Sequence, residues 1–375
     1  MARTVGITVF PEFFLTEGVD TVLDNLQRRA RVTAIATSPY VMAAADAATG
    51  TREPPIDAGA GSVRLLDRPL WGRRELFVRT APSFAPDRGL YRGLRYQPPQ
   101  PDALTHEQGA TIARAVAAAK SRGLEVFLQV QAAIPPGYRV QFGGPLQDDR
   151  PLLPDGSAPK VKVDNNGSLA SPHIAAYGAA LLVDLARAYP EIDGFHIDWP
   201  EYPPYTLDAV FLDFGPHAEA AARAAGLDFA AMRADSQRLF DRLHGGLKRD
   251  DLTALAARMA RLGEDYPGFI ALCRFKGDLV MNLIAGYRRA LDDAGFAGKA
   301  LHLRTFPPPW TAVSGIDFAR LAPFARSFIV KLFTMHWPMM VRMWVDVLAA
   351  ANPALADDPL LPAAVAGLFD ILDDA

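Results

Sequence analysis

Residues 194–205 read GFHIDWPEYPPY, and two acids in that stretch stand three positions apart. Asp198 closes an apolar run, and Glu201 follows inside a proline-rich segment. Two carboxyl groups at one site can divide acid–base work. One, protonated, gives its proton to a leaving oxygen, while the other, ionised, attacks or stabilises the electron-poor carbon. Trp199, Tyr202 and Tyr205 offer flat rings beside them, and Pro200, Pro203 and Pro204 fix the loop at low entropic cost.

Other polar residues interrupt apolar runs with period two, so each pair shares one face of a strand. Gln129 and Gln131 do so in LEVFLQVQ (124–131), His196 and Asp198 in IDGFHID (192–198), and His302 and Arg304 in KALHLRTF (299–306). Lys331 stands in SFIVKLFT (327–334), on the face of Phe333 and Met335. A strand lysine among apolar neighbours is a candidate Schiff-base nucleophile, so a class I aldolase-type lyase is the competing chemistry. Arg304 and Arg79 carry the planar fork that takes a carboxylate or phosphate. Trp310 in FPPPW, His336 and Trp337 in HWPMM, and Tyr138 in AAIPPGYRVQFGGP are further candidates for lining a cleft. Plainer roles stand beside each of these. Asp198 can be a structural acid paired with Arg304 or Lys331, Glu201 a solvated loop acid, and His196 an interior histidine with its hydrogen bonds satisfied. Metal ligation by His196, Asp198 and His302 lacks any HxH or HExxH spacing, so neither metal nor cofactor is expected.

These residues need elements to hold them. VGITVF (5–10) and RVTAIAT (31–37) read as strands, with a helix over roughly 17–29 between them. A long loop, 38–103, contains ELFVRT (75–80), a strand or hairpin arm. Thr105 opens THEQ, a capping-box pattern, and the following Ala-rich helix stops at Gly123. A second loop, 132–170, leads to Ser171-Pro172, a cap followed by proline at the first helical position. Extra helices are expected over about 206–262, and helical patterns fill the chain after the sixth strand. Strands alternating with helices imply parallel pairing, in an open sheet or a barrel. The first turn, FPEFF, lacks a glycine cradle for phosphate. A barrel gives the polar strand faces an interior, whereas an open sheet would bury their charges under helices at several kcal/mol or more. The fold class expected is therefore α/β, a TIM-like barrel, incomplete at strands seven and eight unless a partner chain or second copy supplies them.

The run SPHIAAYGAALLVDLARAYPEIDGFHIDWPEYPPY (171–205) resembles the glycoside-hydrolase-like (β/α)8 barrels of bacteria. A proline-started helix ends there in a Tyr…Asp-Gly turn, and a strand ending in aspartate follows. DGFHID (193–198) also resembles strand four of retaining α-glycosidases. The resemblance implies an aspartate nucleophile at Asp198, an acid/base of which Glu201 is the candidate, and a carbohydrate substrate at the C-terminal mouth. The chain departs from that pattern at RTFPPPW (304–310) and FTMHWP (333–338), where strands five and six end without an acid. The second carboxylate then falls to Glu201 or to Asp148, Asp149 or Asp164. A barrel that binds sugar without cleaving it is the non-catalytic alternative.

The bulk numbers fit these readings. With 375 residues, half of them hydrophobic, the chain can bury a sizeable core as one domain. A net charge of −3 gives no electrostatic case for nucleic acid. One cysteine, Cys273, excludes an internal disulfide. The N-terminus lacks a secretory pattern, and no run of about 18 apolar residues exists, so a cytoplasmic chain without membrane spans is expected.

Overall fold

The computed structural model describes residues 4–53, 70–137, 143–160, 164–253, 261–332 and 336–368. Tyr138 lies outside them, as does the side chain of His336. In chain order the strands are β1 (Gly6–Thr8), β2 (Ala34–Thr37), β3 (Tyr40–Ala45), β4 (Thr51–Glu53), β5 (Leu76–Pro82), β6 (Glu125–Gln131), β7 (Gly194–Asp198), β8 (Ala300–Thr305) and β9 (Ser327–Val330). Six of them form one parallel sheet in the order β1-β2-β6-β7-β8-β9.

That sheet is strongly curled. Strands β2, β6 and β7 lie between β1 and β8. In a flat sheet, strands four places apart stand roughly 19 Å apart. Arg304 Nη1 on β8 nevertheless donates to Thr8 Oγ1 on β1 at 2.9 Å. The result is a half-barrel of six strands; the TIM-like barrel expected, incomplete at strands seven and eight, is met only to that extent among the described residues. Beyond β9 the apolar residues follow helical period and build the helices His336–Ala351 and Leu360–Leu368, so among the described residues no seventh or eighth barrel strand follows.

ELFVRT is a strand but no stave of the barrel. It lies in β5, which pairs antiparallel with β3 and β4 in a separate three-stranded sheet. Among the described residues no helix separates β3 from β5, and antiparallel pairing needs none. Met42, Leu70, Leu76 and Val78 give this sheet its own small core.

The convex face of the large sheet carries the apolar half of the period-two pattern. Ile35, Val126, Leu128, Phe195, Ile197, Leu301 and Leu303 are all buried there. The helix Pro172–Ala188 starts as its sequence predicts, with Ser171 Oγ accepting from His173 N and Ile174 N. The cap at the other site is shifted. Asp102, not Thr105, is the N-cap, and Thr105 supplies the reciprocal bond from the third helical position of Ala103–Gln108.

Residues 206–262 bring the expected extra helices, among them Pro216–Ala224 and Phe229–Leu243. The 27-residue helix Pro267–Asp293 packs against Phe229–Leu243 and Pro172–Ala188. Gly178 permits that close approach: a Cβ there would stand 2.2 Å from the Tyr287 hydroxyl. Tyr287 in turn donates to Ala132 O at 2.6 Å, tying the long helix to the end of β6. No helix among the described residues is long and apolar enough to cross a membrane.

Candidate active site

In-register neighbours on a parallel sheet point to the same side, so the pairing defines the layers of the concave face. The lowest is apolar, with Ala36, Phe127, Gly194 and Ala300 in register. Above it stand Gln129, His196, His302 and Ser327. The top layer holds Gln131, Asp198 and Arg304, with Lys331 just past the end of β9.

Asp198 sits at the centre of a dense hydrogen-bonded set. Its Oδ1 lies 2.8 Å from Lys331 Nζ and accepts from its neighbour Trp199 N at 3.1 Å. Gln129 Nε2 donates to Oδ2 at 2.9 Å. Gln129 Oε1 accepts from Arg304 Nη1 at 2.5 Å. Burial pushes the Asp198 carboxyl up, but the Lys331 and Arg304 charges outweigh it and hold the group below the usual carboxylate range.

Trp199 has φ +50°, a left-handed conformation that costs a non-glycine residue of order 1–3 kcal/mol. The turn brings Glu201 beneath the loop that follows β8, where Glu201 Oε1 accepts from Phe306 N at 2.7 Å. Its Oε2 is buried and without a partner among the described residues. Asn166 Nδ2 holds the same turn by donating to Glu201 O at 2.9 Å. Glu201 is fully buried, and desolvation raises its carboxyl to about 7 against the lowering pull of Lys331 and the Phe306 amide. Two acids three residues apart are thus driven in opposite directions.

Aromatic rings surround the pair. Lys331 Nζ lies 4.9 Å from the Trp199 ring and 5.2 Å from that of Phe306. Tyr205 contacts both rings edge-on, at 5.7 and 4.8 Å. Burial and the neighbouring charges of Asp198, Asp164 and Glu201 raise its hydroxyl far above its ordinary value. Beside Tyr205, a cavity of about 30 Å³ is lined by Asp164, Asn166, Tyr202 and Thr206, among others.

Below the carboxylates, His196 stacks on Phe127 at 4.9 Å, and His302 meets the same ring edge-on at 4.6 Å. Burial lowers His196 to about 3, helped by His302 and Arg304, and lowers His302 to about 4, helped by Arg326. His302 Nδ1 contacts Ser327 Oγ at 2.6 Å.

The structure therefore brings together Gln129, Gln131, His196, Asp198, Trp199, Glu201, His302, Arg304 and Lys331. Others stand apart. Arg79 lies on β5 in the antiparallel sheet, 3.8 Å from Asp102. Tyr202 belongs to the loop core: its hydroxyl donates to Asp213 Oδ2 at 3.1 Å and accepts from Leu169 N. Trp310 is buried, 4.2 Å from the Trp337 ring, as loop packing. Thr8 and Phe306 were missed. Thr8 carries the same signal as Gln129, a polar residue in a β-branched run. Phe306 holds Glu201 through its backbone N–H, which no sequence pattern marks.

One group of metal-ligand type lies elsewhere. Ligand atoms of Asp149, His173 and His217 fall within 4.8 Å of one another. Both Asp149 oxygens are already occupied: Oδ1 accepts from Ser171 Oγ, and Oδ2 from Arg95 Nη1 and Tyr96 Oη, each at 2.7 Å. A cation there would face Arg95, so the donor set suits an anionic pin rather than a metal centre.

No protein-family model matches the chain, and no curated protein does. Several solved structures are similar, and two of them cover most of this chain. One is the β-galactosidase from the psychrophilic Marinomonas ef1, 13% identical with a TM-score of 0.44, covering 88% of this chain and 41% of that one. The other is an inactive mutant of the GH20 exo-β-N-acetylglucosaminidase from Vibrio harveyi, 12% identical with a TM-score of 0.30, covering 98% of this chain and 58% of that one. The chain thus spans about half the length of these two structures, and likeness at this level assigns neither activity nor substrate. Fold and site together define a mixed α/β protein with a curled six-stranded parallel sheet and a cluster of acidic and basic side chains at its C-terminal edge.

Proposed function

We propose that this chain is a glycoside hydrolase, with Glu201 as acid/base and Asp198 as the ionised nucleophile or charge stabiliser. The observation that carries the reading is the divergence of the two carboxyls: Asp198 is held below its ordinary range, and Glu201 is raised to about 7. Pairs of acids pushed apart in this way divide into proton donor and anion.

The hydrogen bonding also supports one oxygen of Glu201 as the proton carrier. Because Phe306 N donates to Oε1, that oxygen keeps carbonyl character and the proton rests on Oε2. Oε2 is a buried hydroxyl with no acceptor among the described residues, suited to a leaving-group oxygen. Lys331, Gln129 and the Trp199 amide fix the Asp198 carboxylate and compensate its charge. The rings of Trp199, Tyr205 and Phe306 are buried around the pair and keep water from this chemistry.

Lys331 as a Schiff-base residue fits less well, since an amine ion-paired with Asp198 is not the neutral nucleophile such chemistry needs. A panel of aryl glycosides on wild type, Asp198→Asn and Glu201→Gln tests the proposal. Turnover by wild type alone is expected. Borohydride trapping of a carbonyl substrate on Lys331, with no glycoside cleaved, overturns it.

A further inference from the structure

Among the described residues, no carboxylate bonds the guanidinium of Arg304 on the concave face. Both of its hydrogen bonds among the described residues leave from Nη1, to Thr8 Oγ1 at 2.9 Å and Gln129 Oε1 at 2.5 Å. Both acceptors are neutral. They hold the guanidinium by one corner and leave the opposite edge, Nε–H with the adjacent Nη2–H, turned elsewhere. Nε is buried and has no acceptor among the described residues. A buried N–H without an acceptor is costly, and this edge is the one that receives both oxygens of a carboxylate in parallel.

The charges on this face agree. Lys331 is engaged with Asp198, while His196 and His302 are held far below their ordinary values and are neutral at pH 7. Glu201 keeps its proton to about 7. Below about pH 7 Arg304 therefore leaves an excess of one positive charge, suited to a monoanion more than to a dianionic phosphate ester. Thr8, Gln129, His196, His302 and Arg304 are all partly exposed, so solvent meets the face around the buried Nε.

We infer that Arg304 anchors a carboxylate on the sugar, so that the substrate class is uronic acids and their glycosides. This rests on reading the concave face as a sugar site. It makes Arg304 a specificity-determining residue, held in place by Thr8 and Gln129.

Isothermal titration of the full chain with D-glucuronate, D-galacturonate, D-glucose, D-galactose and glucose 6-phosphate tests the inference. At least one uronate is expected to bind about 10-fold or more tighter than its neutral counterpart and tighter than the phosphate ester. Arg304→Met is expected to weaken uronate binding by about 10- to 100-fold, as loss of charge-assisted bonds does. Arg304→Lys keeps the charge without the fork and should recover part of that loss. If Arg304→Met does not fold, a loss of uronate affinity in Arg304→Lys carries the test. Equal affinity for acidic and neutral sugars, tighter binding of the phosphate ester, or uronate affinity unmoved in both variants overturns the inference. The two proposals fail separately. Uronate binding without hydrolysis of any uronide removes the hydrolase reading and leaves this one standing. Faster turnover of neutral glycosides than of uronides does the reverse.

Discussion

A carboxyl group with an amide N–H on one oxygen and nothing on the other is set to give up a proton from the second. Glu201 is in that position, and its pH behaviour follows. Glycoside turnover should fall as pH rises through about 7, the value to which burial lifts Glu201, because the donor is then lost. Stability carries the same sign. A carboxyl whose folded value stands above its ordinary 4.5 contributes fully below 4.5, and that contribution is lost as pH rises through about 7. The loss is roughly 3 kcal/mol at 1.36 kcal/mol per pH unit. Glu201→Gln should remove this slope, so urea unfolding of wild type and variant at pH 5 and pH 8 should show the difference narrowing in wild type's disfavour at the higher pH. Lys331→Met leaves the Asp198 carboxylate buried with hydrogen bonds from Gln129 and an amide and only the more distant Arg304 charge to offset it. It should cost about 3–5 kcal/mol and move the acidic limb of the activity profile upward.

Among the elements, those written by local rules were legible and those made by long-range contact were not. The Ser171-Pro172 start and the strands around Phe127, Phe195 and Leu301 read directly from residue type and period. The concave grouping of Gln129, His196, Asp198, His302 and Arg304 followed from period two and parallel pairing. The burial of Glu201 was hidden, because it depends on a backbone N–H at Phe306, about a hundred residues away. The place of β5 in a side sheet was equally hidden, since an apolar run does not state its partner. Gly178 belongs to this class: its value lies in admitting Tyr287. Gly178→Val should drive the ring from Ala132 O and destabilise the fold by about 1–3 kcal/mol, measurable by thermal melting.

At the scale of the whole molecule, six parallel strands curl far enough for Arg304 to reach Thr8, which makes a polar concave surface without a closed ring. Two half-buried histidines, neutral beneath that surface, set its acid limit. Their folded values, about 3 for His196 and about 4 for His302, lie below the ordinary 6.5. The stability they confer is present above 6.5 and is lost as pH falls toward 4. His196→Phe, stacked on Phe127, should flatten that loss in urea midpoints taken at pH 7 and pH 5. The account turns on two carboxyls that titrate apart. Carbon-13 spectra of carboxyl-labelled protein, assigned through Asp198→Asn and Glu201→Gln, follow both directly. Titration of Glu201 near pH 7, with Asp198 ionised below the usual carboxylate range, is the predicted result; both groups titrating together near pH 4 would contradict it.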